Sequence, residues 1–246
     1  MNKLVESINN RASVREYLNK DIDEQTIKEL LSCIQHLPNS INGQQVSVIL
    51  VKDKIIKNKL AEISNNMFIA TAPMVVVFLM DYYKTMLAGK KNNVNLIIQN
   101  DIESVFTGNV DAGILMGGLT IIAEDLGLGT CIVGGVRKEA DKTIELLKLP
   151  KYTYPIAAMT IGYFEDKPMS KPRMNYESFV HENTYHSENM QEYIDEYDGR
   201  MEKYLEKINR KDIEGNWSKK VCSCYSNDES FQNIIGYLEK QNIKIK

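Results

Sequence analysis

The longest apolar stretch of the sequence covers residues 110–126. Its polar positions are few, namely Asp111, Thr120, Glu124 and Asp125. A helix that is apolar nearly all round is typical of a buried core helix. This one is too short, and too charged at its ends, to cross a membrane. We expect Gly127 and Gly129 to end it.

Other hydrophobic runs alternate with amphipathic ones. Strands are predicted at residues 46–51, 74–80, 130–133 and 156–161. Helices are predicted at residues 23–36 (with Asp23 as N-cap), 54–65, 138–148, 188–208 and around 228–241. The strands are almost continuously apolar, which indicates a sheet covered on both faces in an α/β or α+β layering.

Composition excludes several classes of protein. The 246 residues have 43% hydrophobic content and a net charge of −3, which gives no sign of a nucleic-acid or membrane-surface partner. Four scattered cysteines are too few for a disulfide scaffold. The N-terminus does not resemble a signal peptide. We therefore expect a soluble cytoplasmic protein.

Two short segments carry closely spaced cations. Arg11, Ser13 and Arg15 alternate with Ala12 and Val14, and in an extended chain alternate side chains share a face. The three polar groups could then converge on one anion, although a solvated basic patch is the commoner case. A second basic segment, with the same ambiguity, contains Lys171 and Arg173.

Two further motifs allow more than one interpretation. Gly134-Gly135 follows a predicted strand and could bind an anion, but its spacing does not fit the G-x-G-x-x-G dinucleotide fingerprint. A polar cluster precedes the first strand, and either forms turns or hydrogen-bonds a polar heterocycle. Its members are Asn39, Ser40, Asn42 and Gln44.

No catalytic or metal site is predicted from the remaining residues. His181 and His186 are five residues apart, whereas the metalloprotease motif needs histidines at i and i+4. Cys222-x-Cys224 has no second pair at ligand spacing. Three histidines in these positions also give no nucleophilic triad.

The order of these motifs is more specific than any one of them. Along the chain the motifs come in this order: R-x-S-x-R, P-N-S-x-N-x-Q, A-E-D-L-G-L-G-T-C-x-V-G-G-x-R, and K-P-R followed by H-E-N-T-Y. In this the chain resembles the FMN-dependent nitroreductase superfamily, and within it the branch of the major oxygen-insensitive NADPH nitroreductase and the NADPH-flavin oxidoreductases. The resemblance covers almost the whole chain.

The resemblance implies an α+β fold with a central, mainly antiparallel sheet flanked by helices. It also implies a homodimer with exchanged C-terminal segments and FMN at the interface. Residues 1–165 would form the FMN-binding core, and residues 166–246 a C-terminal extension of the same domain.

The family's cofactor-binding positions correspond to positions of this chain. They are Arg11, Ala12, Ser13, Val14, Arg15, Asn39, Ser40, Asn42, Gln44, Asn66, Ile132, Val133, Gly134, Gly135, Lys171 and Arg173. One departure is Ala12, where this branch usually has arginine; Arg11 is the candidate replacement. Lys207, Arg210 and Lys211 are candidates for binding the nicotinamide cosubstrate.

The implied activity is ping-pong hydride transfer from NADPH or NADH, through FMN, to nitroaromatics, quinones or flavins. No side chain is assigned as catalytic, because the chemistry belongs to the cofactor. Two alternatives stay open. One is a non-catalytic FMN-binding redox sensor or carrier, and the other is a flavin-dependent dehalogenase of the same fold.

Overall fold

The computed structural model describes residues 2–210, 215–226 and 233–245. The strands are β1 (Val46–Val51), β2 (Met74–Asp81), β3 (Gly129–Val133) and β4 (Thr153–Gly162). The helices are α1 (Lys3–Asn9), α2 (Glu24–Gln35), α3 (Lys54–Ser64), α4 (Phe68–Thr71), α5 (Tyr83–Asn92), α6 (Glu103–Asp125), α7 (Ala140–Leu146), α8 (Met190–Lys207), α9 (Trp217–Tyr225) and α10 (Ile234–Lys240). The chain divides into two compact units between Pro168 and Met169, and α10 belongs with the first unit.

The four strands form one antiparallel sheet in the order β1-β2-β4-β3. Every residue of the two central strands, β2 and β4, is buried. This explains their nearly continuous apolar sequences, because both faces of a central strand must avoid water. The predicted α+β fold with a mainly antiparallel sheet is confirmed.

Successive residues of β2 serve opposite faces of the sheet. Val76 and Phe78 pack on one side with residues of α2 and α6, including Leu30 and Leu119. On the other side, alternate β2 residues pack with residues of α3 and α4. The prediction of a sheet covered on both faces is therefore confirmed.

The apolar helix begins earlier than predicted, at Glu103, and ends at Asp125. Gly127 has φ +73° and donates its N–H to Glu124 O at 3.1 Å, while the Leu128 N–H reaches Ala123 O at 2.8 Å. These two bonds satisfy carbonyls that the helix end would otherwise leave unpaired. The predicted stop at Gly127 is confirmed.

Within this chain the helix is buried on one side only, which differs from the predicted buried core helix. Phe106 and Val110 are each 61% exposed, and Ile114 and Ile121 are exposed on the same helix. One face packs on the sheet and on α2, and α1 also contacts the helix, whereas the four side chains just named stay exposed within this chain. By length and composition alone α6 could also cross a membrane, but that is a weak indication because core helices of soluble proteins pass the same test.

The second unit is built on the amphipathic helix α8. The hydroxyls of its buried Tyr197 and Tyr204 donate to Pro172 O at 3.0 Å and Met169 O at 3.1 Å. Trp217 of α9 lies edge-on to Tyr197, with ring centroids 5.9 Å apart. The predicted final helix corresponds to α10, but residues 228–232 of that prediction lie outside the described residues.

Candidate functional site

Residues 11–15 run beside β3 as a short extended segment. Ser13 forms a parallel bridge with Thr130, and the Val14 N–H donates to Thr130 O at 3.0 Å. Ala12 and Val14 are buried, while Ser13 and both arginines keep contact with solvent. Strand geometry thus places Arg11, Ser13 and Arg15 on one outward face, as the alternation predicted. Ala12 and Val14 can face a ligand only through their backbone.

Tyr17 fixes the end of this segment. Its hydroxyl donates to Val14 O at 2.7 Å and lies 2.7 Å from Thr160 Oγ1 of β4. Burial raises the pKa of Tyr17 well above its ordinary value. The phenol therefore remains neutral and keeps its donor proton, which holds the segment against the sheet.

Arg11 and Ser13 line a cavity of about 370 Å³. Its other walls come from α1, α6 and β3, namely Ser7, Ile8, Gly117, Thr120, Ile121, Glu124, Thr130 and Ile132. Ile132 is 48% exposed, whereas the other four residues of β3 are buried. A cation, several hydroxyls and an apolar side chain at one site suit a ligand with both an anionic group and an apolar ring.

The outward row of Arg11, Ser13 and Arg15 continues toward Gly134 and Gly135. The Arg15 guanidinium carbon lies 5.8 Å from the centroid of the Phe68 ring, which follows the predicted site residue Asn66 in sequence. Asn66 Nδ2 donates to Ser64 O at 2.6 Å, beside Gly135. The structure therefore brings together three of the predicted groups, the 11–15 segment, Asn66 and residues 132–135.

Gly135 is required by the chain's own packing, whereas Gly134 is only tightly packed. A Cβ on Gly135 would lie 2.6 Å from the backbone oxygen of Ser64, closer than real Cβ atoms approach backbone. A Cβ on Gly134 would lie 3.1 Å from Arg137 Nη2, and Arg137 donates to Ile156 O of β4. Close packing against α3 thus explains Gly135 without a ligand.

The predicted polar turn lines a different cavity, of about 590 Å³, that runs along α2 and β1. Asn39 Oδ1 accepts from the Gln44 N–H at 2.9 Å. The residues Ile41, Asn42 and Gln44 all have positive φ, between 50° and 54°. Such a backbone is uncommon for non-glycine residues and costly for a β-branched one. Within one chain, the turn and Arg11 thus line separate cavities.

A carboxylate that the sequence reasoning missed holds this turn. Asp111 of α6 is only 3% exposed, and it accepts from the Ser40 N–H at 3.1 Å and from Gln45 Nε2 at 3.0 Å. It is also the only charged residue between Glu103 and Glu124. That isolated charge in an apolar helix was the available signal, because a buried carboxylate needs hydrogen-bond donors.

The remaining predicted site residues belong to the second unit. Lys171 and Arg173 are exposed, and Arg173 Nη1 donates to Lys171 O at 3.0 Å and to Pro172 O at 3.2 Å. Lys207 is the last residue of α8, and Arg210 follows a left-handed Asn209 that ends the helix. Lys211 lies outside the described residues. The assignment of all these cations to a site stays a prediction.

The histidine pair forms a local loop. The His186 N–H donates to His181 Nδ1 at 3.2 Å, and the His181 ring lies 4.2 Å from that of Tyr185. Among the described residues no group of three metal-ligating side chains occurs.

Comparison with known proteins decides the family. The model of the nitroreductase family matches residues 8–163, and that of the nitroreductase family C-terminal domain matches residues 171–246. The chain belongs to the nitroreductase family. The resemblance inferred from the motif order is therefore confirmed.

Three relatives match over nearly their full length. The chain is 35% identical to an "FMN reductase [NAD(P)H]" of Bacillus subtilis (strain 168), covering 100% of both. The solved structure of B. megaterium NfrA2 is 32% identical, with a TM-score of 0.96 and 100% coverage of both chains. The NADPH:FMN oxidoreductase from Vibrio harveyi, complexed with NAD+, is 27% identical, with a TM-score of 0.88 and 99% coverage of both chains.

Proposed function

We propose that this nitroreductase-family chain is an FMN-dependent NAD(P)H oxidoreductase. The observation that supports this most directly is the outward row of Arg11, Ser13 and Arg15 beside the exposed Ile132 of β3. Relatives of full length whose names include FMN reductase and NADPH:FMN oxidoreductase support the same cofactor and cosubstrate.

The donor set of the site fits FMN. Arg11 and Ser13 share a cavity and offer a guanidinium and a hydroxyl to a phosphate group. Ile132 offers an apolar surface to a flat ring, and Gly134 and Gly135 bring backbone without side chains to the end of the same strand. When bound, FMN supplies the redox chemistry, which is to accept a hydride and then pass it on.

The chain's own residues would bind and orient the cofactor. Arg15 holds a positive charge beside Phe68, in the row that begins with Arg11. Tyr17 fixes the backbone of this row by hydrogen bonding to Val14 O, so that the segment is already in position before a ligand binds. Preorganisation of this kind lowers the cost of ordering the segment on binding.

The proposed electron acceptors are nitroaromatics, quinones and free flavins, in a ping-pong cycle with the nicotinamide. A ring-shaped acceptor needs an apolar surface and few specific polar contacts, which agrees with the half-exposed Ile132. We propose Lys207, Arg210 and Lys211 as the cations that bind the nicotinamide cosubstrate.

Self-association would complete the site. The exposed face of α6, with Phe106, Val110 and Ile114, is an apolar surface of the kind that marks protein interfaces. A Cβ on Gly113 or Gly117 of the same helix would meet no atom within 4 Å, whereas one on Gly118 would meet Leu37. We propose a homodimer through this face, in which Gly118 instead serves packing within the chain. Sedimentation of the wild type and of Val110→Glu tests this: we expect a dimeric wild type and a dissociated variant, and a variant that sediments like the wild type would contradict a dimer through this face.

Anaerobic mixing of the FMN-loaded protein with NADPH, and separately with NADH, tests the proposed function. We expect the flavin absorbance to bleach and then to recover when a nitroaromatic or a quinone is added. Bound flavin that neither nicotinamide bleaches would instead support the sensor or carrier. Arg210→Ala and Lys211→Ala, compared in the same assay, should change the preference for NADPH over NADH if the loop assignment is correct.

A further inference from the structure

Glu124 is a buried carboxylate that the proposed chemistry does not use. Its side chain is 6% exposed, and it lies one residue before the last residue of α6. The C-terminus of a helix is its negative end, so a buried carboxylate there needs compensation. Glu124 Oε2 receives it from Lys167 Nζ, with which it forms an ion pair.

The second oxygen of Glu124 has no such compensation. Oε1 is buried and has no hydrogen-bond partner in the described structure. A buried polar atom without a partner costs about 1–3 kcal/mol, which makes it a strong acceptor for any donor that reaches it. Glu124 also lines the cavity that contains Arg11 and Ser13.

Arg11 is the complementary group of this cavity. Its guanidinium makes no hydrogen bond or ion pair with any described residue. The cavity therefore combines a cationic donor that is open to an anion with a buried acceptor that lacks a donor. Its walls add the hydroxyls of Ser7, Thr120 and Thr130.

These groups restrict the class of ligand. A free cation is disfavoured, since Arg11 and Lys167 together outnumber the single carboxylate in charge. An inorganic anion without a hydroxyl, such as sulfate, would pair with Arg11 but leave Oε1 without a donor. A phosphate ester of a polyol satisfies both, because the phosphate accepts from Arg11 and a hydroxyl donates to Glu124.

We propose that Glu124 binds a hydroxyl of the ribityl chain of FMN while Arg11 binds its phosphate. This inference rests on the proposed function, since it deepens the assignment of the same cofactor. It makes Glu124 a binding residue that recognises the polyol portion of the cofactor and not its ring.

The test compares three flavins that differ only in this portion. Dissociation constants are measured by fluorescence titration for FMN, for riboflavin, which lacks the phosphate, and for lumiflavin, which lacks the polyol. The apoprotein is used as wild type, as Glu124→Gln and as Asp125→Asn. Asp125→Asn is the matched control, because it removes one carboxylate charge from the neighbouring exposed position.

We expect Glu124→Gln to raise the dissociation constant of riboflavin about tenfold, the usual effect of losing a hydrogen bond to a charged group. The dissociation constant of FMN should also rise, while that of lumiflavin should not change. In the Asp125→Asn variant all three dissociation constants should match those of the wild type. Equal weakening of all three flavins would indicate a structural role and overturn the proposal, as would no weakening of any. A wild type that binds no FMN would contradict the proposed function itself, which separates the two failures.

Discussion

The 11–15 segment and the 39–45 turn hold predicted site residues by different means. In the 11–15 segment, strand geometry alone puts Arg11, Ser13 and Arg15 outward, and the buried neighbours anchor it. In the 39–45 turn, the backbone takes three left-handed conformations that Asp111, on a distant helix, holds in place. Because alternation specifies the 11–15 segment, its polar side chains can be removed without changing its backbone. The strained 39–45 turn instead depends on its tertiary contact with Asp111.

The largest expected effect concerns the turn. Asp111→Ala leaves the Ser40 N–H and the Gln45 amide without their acceptor, which should lower the free energy of unfolding by about 2–4 kcal/mol. Urea unfolding followed by circular dichroism measures it. Asp125→Asn, at an exposed position of the same helix, should stay within about 0.5 kcal/mol of the wild type. A similarly small change for Asp111→Ala would mean that the turn does not need its anchor.

Close packing beside the 11–15 segment gives the next effect. Gly135→Ala drives a Cβ into the Ser64 carbonyl and should cost about 2 kcal/mol. Gly199→Ala in α8, where a Cβ meets no atom within 4 Å, should instead gain about 0.5–1 kcal/mol from helix propensity. Thermal unfolding of both variants distinguishes the cases. If the two substitutions have equal effects, the close approach of Gly135 to α3 is absent in solution.

The anchor of the 11–15 segment should respond to alkaline pH. The pKa of Tyr17 is raised by burial, so above a pH of about 10 the unfolded chain loses its phenolic proton before the folded chain does. The stability from this group is therefore complete below pH 10 and is lost as the pH rises further, with a slope of about 1.4 kcal/mol per pH unit. Tyr17→Phe should cost about 1 kcal/mol at neutral pH and should remove that part of the slope. Unfolding curves of both proteins at a series of pH values test this, and equal slopes would contradict the assignment.

The smallest effect isolates the strain of the turn. Ile41 is 93% exposed and has φ 51°, so its side chain gives little packing in return for an unfavourable backbone. Ile41→Asn should raise the free energy of unfolding by about 0.5–1 kcal/mol, because asparagine tolerates the left-handed region. Ile97→Asn, at an exposed position with negative φ, is the control and should change little. A loss of stability for Ile41→Asn would indicate that the side chain is covered in solution.

The sequence was sufficient wherever a short-range pattern determines the structure. The Asp23 cap of α2, the stop at Gly127 and the outward face of residues 11–15 all follow from spacings of four residues or fewer. The antiparallel character of the sheet and the identity of the cofactor came from the resemblance to the family, and the family models confirm that family.

Long-range contacts account for what the sequence did not reveal. Asp111 meets Ser40 and Gln45 from 71 and 66 positions away, and nothing local specifies those pairs. Likewise, hydropathy predicts that α6 avoids water but does not say whether its own chain or another covers each face. The pairing of Glu124 with Lys167 is of the same kind, at a separation of 43 residues.

One measurement tests most directly whether the outward row binds the cofactor independently of the fold. FMN affinity and the free energy of unfolding without FMN are determined for the wild type and for the Arg11→Ala/Arg15→Ala double variant. We expect at least about a hundredfold loss of FMN affinity, since each cation gives a charge-assisted hydrogen bond. The free energy of unfolding of the apoprotein should change by less than about 0.5 kcal/mol. Unchanged FMN affinity in the double variant would contradict the account.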